Sequence, residues 1–252
     1  MKTPRIIGHR GASWARPENT APAFDLALQE GAEGLELDLQ LTRDEKVVVF
    51  HDKTLSMLGM KHRRIAQYTR EELRALDVGG WFSDEFAGTR ILDLDEVLER
   101  YGEVTDLYLE IKPVGALKKP EWATRLARRV ADRVSAHQHL HRIYVLSFSE
   151  AVLLEVLRSH AHLRCVHNLE HPHDLDRMSQ EVLDALHAVC VDIRRFDVAD
   201  VARVHAACRH LFAYTVDAPR HLKVALELQV DAIISNGPAQ ARQTLSMLMT
   251  AD

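Results

Sequence analysis

Two carboxylates, Glu36 and Asp38, alternate with leucines in the segment GLELDLQL at residues 34–41. Side chains two residues apart on a β-strand project from the same face, so both acids are expected to point the same way. The opposite face of this strand is aliphatic. Because burying a carboxylate is costly unless a cation or hydrogen-bond donors compensate it, the pair indicates a metal-binding or catalytic role.

A histidine follows the two acids after a short connection. A polar turn at residues 42–46 leads into a β-branched run at residues 47–50, which ends at His51. The turn is short enough for a β-hairpin, and a hairpin would carry His51 back beside the two acids.

Short β runs alternate with amphipathic helical segments along the chain. We count eight strands and treat residues 47–50 as a hairpin arm outside that count. The strands cover residues 5–9, the segment with the two acids, and residues 106–112, 142–147, 163–167, 188–193, 211–216 and 231–235. Eight strand–helix units in 252 residues predict an α/β fold of the (β/α)8 TIM-barrel type. A doubly wound open sheet is the rival, but no Gly-x-Gly-x-x-Gly fingerprint follows the first strand.

Helix start signals divide the chain further. Thr69-x-x-Glu72 and Asp93-x-x-Glu96 are capping boxes, and single capping residues open later helices at Ser149, Ser179, Asp197 and Asp217. Residues 53–90 stand outside the alternating pattern because they hold four glycines, several charges and one short helix. We therefore predict one domain over residues 1–252, with a small insertion at residues 53–90 after a hairpin on strand 2.

Active sites of such barrels form at the carboxyl ends of the strands. The polar residues found there are His9 and Arg10, Glu36 and Asp38, Glu110 and Lys112, with His51 returned by the hairpin. Three carboxylates suit one hard divalent cation, Mg²⁺ or Ca²⁺, whereas zinc would more often recruit histidines or cysteines. Arg10 and Lys112 could neutralise a phosphate, and the two histidines could divide the proton transfers. Phosphodiester cleavage needs all of these parts.

Composition limits the partners and the location. The net charge is −5 and no long basic stretch occurs, which argues against nucleic acid as a partner. The three cysteines are widely spaced and match no metal-ligand pattern, which suits a reducing compartment. No apolar signal region and no run of 18 apolar residues occurs, so we predict a cytoplasmic protein without stable membrane insertion. The sequence leaves open a homo-oligomer.

Histidine is abundant, with 15 residues. Several fall near helix ends and in loops without acids at ligand spacing, and we predict that these are surface residues: His137, His139, His141, His160, His162, His171 and His173.

Five ordered motifs resemble the glycerophosphodiester phosphodiesterases. They are His9-Arg10-Gly11, Pro17-Glu18-Asn19-Thr20, Glu36-Leu37-Asp38, His51-Asp52 and Glu110-Ile111-Lys112. The similarity continues through later segments to Ser235-Asn236-Gly237-Pro238, so it covers essentially the whole chain.

The resemblance implies hydrolysis of a small glycerophosphodiester, such as glycerophosphocholine or glycerophosphoethanolamine, to glycerol 3-phosphate and an alcohol. It implies metal ligands at Glu36, Asp38 and Glu110, an acid–base pair at His9 and His51, and phosphate binding by Arg10 and Lys112. One histidine would activate the glycerol 2-hydroxyl to give a cyclic phosphate that water later opens, or water would attack directly. Phe148 and Tyr214 are candidates for the glycerol pocket, although the family commonly has tryptophan where this chain has Tyr214.

Two further functions stay open at this point. One is a lysophospholipase-D-like or cyclising phosphodiesterase that acts on lysolipids, and the other is a non-catalytic barrel that binds phosphodiesters. The hairpin turn also departs from the family pattern, because Glu45 stands where glycine is usual.

Overall fold

The structure is a computed structural model that describes residues 3–112, 120–208 and 210–250. Its nine strands are β1 Arg5–His9, β2 Gly34–Leu41, β3 Val47–Val49, β4 Asp106–Ile111, β5 Ile143–Ser147, β6 Arg164–Leu169, β7 Ala188–Asp192, β8 Leu211–Tyr214 and β9 Ala232–Ser235. All except β3 run parallel, and β1 pairs with both β2 and β9, which closes the barrel. Strand β3 pairs antiparallel with β2. The predicted (β/α)8 barrel and its hairpin are confirmed.

The helices follow the strands around the outside of the barrel. They are α1 Ala21–Gln29, α2 Arg70–Arg74, α3 Leu94–Tyr101, α4 Pro120–Ser135, α5 Glu150–Ser159, α6 Gln180–Ala185, α7 Val198–Ala207, α8 Pro219–Glu227 and α9 Pro238–Thr250. Both predicted capping boxes form, at the starts of α2 and α3. The prediction for Asp217 was wrong, because α8 begins after Ala218 with Pro219 in its first turn, and the Asp217 side chain turns to β9 instead.

The strands have two different faces. Toward the helices they contribute leucine, isoleucine and valine to the main core. Toward the barrel axis, Tyr108 stacks on Tyr144 with ring centroids 4.5 Å apart and meets Phe212 edge to face. Gly34 leaves room for this aromatic layer, because a Cβ there would lie 2.7 Å from the Tyr108 ring. Tyr108 lies two residues before Glu110 on β4, so the aromatic layer underlies the polar mouth.

The hairpin, residues 53–90 and the adjoining Ile91 share a small hydrophobic core of their own, which is formed by Val48, Phe50, Leu55, Ile65, Leu73, Val78 and Ile91. In the hairpin turn, Glu45 has a φ of 57°, a left-handed conformation in which glycine is ordinarily favoured. Its carboxylate pairs with Arg125 and Arg129 of α4. Glu45 thus gives this turn an attachment to α4 that a glycine at the same position would lack.

None of the described helices combines the length and the apolar character that crossing a membrane requires.

Candidate active site

The strand register brings the three acids together. His9 of β1 lies beside Glu36 of β2, and Asp38 lies beside Glu110 of β4. All three acids are buried, with exposed fractions of 2% for Glu36, 1% for Asp38 and 7% for Glu110. One oxygen of each lies within 4.8 Å of the others, which makes a cluster able to hold a metal ion.

Two cationic side chains contact this cluster. Lys112 places its Nζ 3.1 Å from Asp38 Oδ1 and also forms an ion pair with Glu110. Arg10 places its Nε 3.2 Å from Asp38 Oδ2, and its backbone N–H donates to Glu36 Oε2. Burial by itself would raise the pKa of Asp38, but Lys112 and Arg10 outweigh it and hold that pKa well below the usual range.

The negative charges of Glu36 and Glu110 are compensated less fully than that of Asp38. Burial and the neighbouring Asp38 and Glu110 carboxylates raise the pKa of Glu36 well above its ordinary value. Burial likewise raises the pKa of Glu110 to about 7, against the opposing influence of Lys112. Within the described part of the chain, Glu36 Oε1 is buried and accepts no hydrogen bond. An all-oxygen cluster with this charge deficit fits a hard divalent cation.

His9 is held by an amide whose orientation is fixed. Asp217 Oδ2 accepts a hydrogen bond of 2.6 Å from Asn236 Nδ2, and a carboxylate can only accept. Asn236 Oδ1 therefore faces His9 Nδ1, at 2.7 Å, and must accept a hydrogen bond from it. The ring proton of neutral His9 thus resides on Nδ1, which leaves the Nε2 lone pair available. Burial and the adjacent Arg10 lower the pKa of His9 to about 4.

His51 is held differently. Its Nδ1 lies 2.9 Å from the carboxylate of Asp52, which can only accept the hydrogen bond. The backbone that carries it is fixed by Gln40 of β2, whose Nε2 donates to the carbonyls of Phe50 and Asp52 at 2.8 and 2.9 Å. The His51 Nε2 atom is thereby left for a ligand.

A cavity of about 300 Å³ opens at this end of the barrel. Its walls include nearly all of the residues predicted from sequence: His9, Arg10, Glu36, His51, Glu110, Lys112, Phe148 and Tyr214. Asp38 lies directly behind the wall, in contact with Arg10 and Lys112. Phe148 and Tyr214 pack edge to face with ring centroids 5.7 Å apart. We refer to this space as the reaction cavity.

The loop after β1 supports the acids from one side. Asn19 Nδ2 donates to Asp38 Oδ2 at 2.8 Å, and Glu18 accepts from Arg10 at 2.9 Å. Arg10 and Asn19 both have positive φ, 55° and 59°. Backbone strain of this kind often accompanies functional sites, and here it presents the Arg10 N–H to Glu36.

Sequence reasoning missed four residues of the site. Asn236 and Asp217 orient His9, and Asn168 and Glu170 line the reaction cavity. The predicted strand at residues 163–167 stops too early, because β6 continues to Leu169. Extending the strand would have placed Asn168 and Glu170 on one face, at the same barrel end as Glu110.

The seven histidines predicted to lie at the surface are exposed in three cases and half-buried in four. Among the residues that the structure describes, the only group that could hold a metal ion is Glu36, Asp38 and Glu110.

The chain is similar to known proteins over nearly its whole length. The sequence model of the glycerophosphoryl diester phosphodiesterase family matches residues 9–240. A glycerophosphodiester phosphodiesterase of Caldanaerobacter subterraneus subsp. tengcongensis is 31% identical over 249 residues, covering 94% of this chain and 96% of that protein. A Bacillus subtilis protein is 45% identical over 107 residues, 42% of this chain and 44% of that protein.

A similar solved structure is an Oleispira antarctica phosphodiesterase in complex with the product sn-glycerol-3-phosphate. It is 27% identical, with a TM-score of 0.85 and 97% of each chain covered. The family match and the near full-length relative agree with the fold and with the site geometry. The chain therefore belongs to the glycerophosphoryl diester phosphodiesterase family and is an enzyme of that family.

Proposed function

We propose that this enzyme hydrolyses small glycerophosphodiesters, such as glycerophosphocholine and glycerophosphoethanolamine, to sn-glycerol 3-phosphate and an alcohol. One observation carries the proposal: three buried carboxylates from β2 and β4 gather at a cavity that is also lined by two imidazoles and two cationic side chains. The product bound to the Oleispira antarctica relative supports the glycerol phosphate half of the substrate.

Glu36, Asp38 and Glu110 would hold one divalent cation, Mg²⁺ or Ca²⁺. When bound, the cation would neutralise phosphoryl oxygen charge and polarise the phosphorus for attack. Arg10 and Lys112 would supply further positive charge to the non-bridging oxygens. Both side chains are largely buried, so their interaction with a phosphate is screened less than at the surface.

The two histidines receive distinct roles. His9 is the general base, because its proton resides on Nδ1 and its lowered pKa keeps Nε2 unprotonated near neutral pH. His9 Nε2 would accept the proton of the attacking hydroxyl, either the glycerol 2-hydroxyl or water. His51 is the general acid, since Asp52 orients its ring through Nδ1 and the residue lines the reaction cavity, where its Nε2 could deliver a proton to the departing alcohol oxygen.

If the 2-hydroxyl attacks, the products of this step are a cyclic glycerol phosphate and the free alcohol. Water then opens the ring with the two histidines exchanging roles, which restores both protonation states.

The test measures release of sn-glycerol 3-phosphate from glycerophosphoethanolamine with a coupled dehydrogenase assay. His9→Ala and His51→Ala should each lower kcat by about 10²–10⁴-fold, the usual contribution of general acid–base catalysis. His162→Ala, at an exposed position, is the matched control and should retain full activity. Turnover that survives both active-site substitutions would exclude these roles, and no release from any glycerophosphodiester would exclude the function.

We also propose that residues 1–252 form a single domain, in which residues 53–90 are an insertion. A cytoplasmic location and the oligomeric state stay predictions. Size-exclusion chromatography with light scattering would measure the latter.

A further inference from the structure

Gln40 shares a strand face with two of the buried acids, but its side chain contacts the segment that carries His51. It follows Glu36 and Asp38 on β2 at intervals of two residues, so the three side chains project from one face. Gln40 is 4% exposed. No step of the proposed reaction uses this amide, so its role lies in what it holds in place.

The Gln40 amide binds the backbone on both sides of His51. Its Nε2 donates to the carbonyl of Phe50 at 2.8 Å and to the carbonyl of Asp52 at 2.9 Å. The carbonyl of His51 itself is a longer contact, at 3.3 Å. Carbonyl oxygens can only accept, so they fix which end of the amide faces them, and the two short bonds use both of its N–H donors.

This amide acts where the backbone pairing of the hairpin ends. The register between β2 and β3 reaches the pair Leu39 and Val49, and the Phe50 N–H donates to the Asp38 carbonyl at 2.9 Å. Residues 51 and 52 lie beyond β3, so a side chain rather than strand pairing ties them to β2. The position of the histidine relative to the acid cluster therefore depends on this amide.

We propose that Gln40 is a positioning residue for general-acid catalysis, because it holds the His51 ring where Nε2 reaches the departing alcohol oxygen. The inference rests on the proposed function, in which His51 is the acid. The Asp52 carboxylate orients that ring, and the same amide holds the Asp52 carbonyl, so loss of the amide releases the acid together with its partner. A misplacement of about 1 Å at an active site can lower a rate by about 100-fold.

The test compares two substrates that differ in their need for an acid. Glycerophosphoethanolamine releases an alkoxide, which must be protonated, whereas the p-nitrophenyl ester of glycerol phosphate releases a phenolate that leaves without a proton. Release of ethanolamine or p-nitrophenol is followed in single turnovers, with enzyme and divalent cation in excess. The rate constant then reports cleavage of the bond to the leaving group and excludes any later opening of a cyclic phosphate.

The enzymes compared are the wild type, Gln40→Met, His51→Ala, the double variant of these two, and Gln67→Met. Methionine keeps the approximate volume of glutamine and lacks the donors. Gln67 is an exposed residue of the insertion, and its Oε1 accepts a hydrogen bond of 2.9 Å from the Arg64 N–H. Gln67→Met is the matched control, since it removes an amide hydrogen bond that does not involve residues 50–52.

Gln40→Met should lower the rate constant for glycerophosphoethanolamine by about 100-fold and that for the p-nitrophenyl ester by less than about threefold. His51→Ala should affect the same substrate selectively, and Gln40→Met should cost less than about threefold more in the His51→Ala background. Gln67→Met should stay within about twofold of the wild type on both substrates.

Equal loss on the two substrates would assign Gln40 to support of the acids on β2 and would overturn the inference, as would full activity of Gln40→Met on glycerophosphoethanolamine. Gln40→Asn, whose amide is one methylene too short to reach both carbonyls, should show the same selectivity and replaces Gln40→Met if that variant does not fold. Failure of the proposed function would appear in the wild type already, as absent turnover of both substrates.

Discussion

Asn236 offers the sharpest test of how the site is organised, because it touches the base without belonging to the acid cluster. Its side-chain amide makes three contacts: it accepts from His9 at 2.7 Å and from Ser13 at 2.8 Å, and it donates to Asp217 at 2.6 Å. Asn236→Leu keeps the approximate volume and removes all three. His9 would then lose both its fixed tautomer and its fixed ring orientation.

The expected effect on catalysis follows from these contacts. General-base catalysis contributes about 10²–10⁴-fold, so loss of orientation should lower kcat by about 100-fold, near the lower end of that range. KM should stay within about twofold, because Asn236 is absent from the lining of the reaction cavity. The Asp217 carboxylate also loses a partner, which should cost about 1–3 kcal/mol of unfolding free energy.

The assay is steady-state release of sn-glycerol 3-phosphate by four enzymes: wild type, Asn236→Leu, His9→Ala and the double variant. If Asn236 acts through His9, Asn236→Leu should lower kcat by less than about threefold in the His9→Ala background, because the two residues form one unit. A loss of about 100-fold in both backgrounds, or a change confined to KM, would refute the reasoning. Urea unfolding of each variant shows that the comparison is made on folded protein.

Three further predictions concern stability. Lys112→Gln in chelated enzyme should lower the unfolding free energy by about 3–5 kcal/mol in urea titrations, because Asp38 and its neighbours lose their buried cation; an unchanged midpoint would contradict the ion-pair geometry. Burial lowers the pKa of His167, so the folded protein holds this imidazole neutral more strongly than the unfolded chain does. The free energy of unfolding is therefore highest above the ordinary histidine pKa and falls as the pH drops below it. Wild-type stability should therefore drop between pH 7.5 and 5 by more than that of His167→Gln, at up to about 1.4 kcal/mol per pH unit, and parallel curves would argue against a buried neutral imidazole. Gln229 follows α8 with a φ of 53°, so Gln229→Gly should relieve about 1 kcal/mol and raise Tm by about 2–4 °C in calorimetry, whereas a lower Tm would count against this backbone conformation.

The part of the site carried by local patterns could be predicted from the sequence. Glu36 and Asp38 lie on one face because a strand repeats every two residues, and the same rule joins Glu110 to Lys112. The barrel then follows from the count of strand–helix units, and its closure brings β1, β2 and β4 side by side. These local rules locate His9, Glu36, Asp38 and Glu110 without knowledge of any contact.

The supporting residues depend on contacts between distant parts of the chain, which local rules do not encode. Asn236 meets His9 across 227 positions in sequence. Asp217 precedes a helix and resembles a cap, yet its carboxylate bonds to Ser235 and Asn236 because β8 and β9 are adjacent in the barrel. Asn168 was missed for a different reason: the predicted strand ended at residue 167, one residue before Asn168 and two before the observed end of β6 at Leu169.

The central claim is that Glu36, Asp38 and Glu110 hold one divalent cation on which phosphodiester hydrolysis depends. The most direct measurement is release of sn-glycerol 3-phosphate from glycerophosphoethanolamine by chelator-treated enzyme as Mg²⁺ or Ca²⁺ is added back. We predict that the treated wild-type enzyme is inactive, that one cation per chain restores it, and that folded Asp38→Asn is not restored at the same concentrations. Full activity in the metal-free enzyme, or equal restoration of Asp38→Asn, would contradict the account.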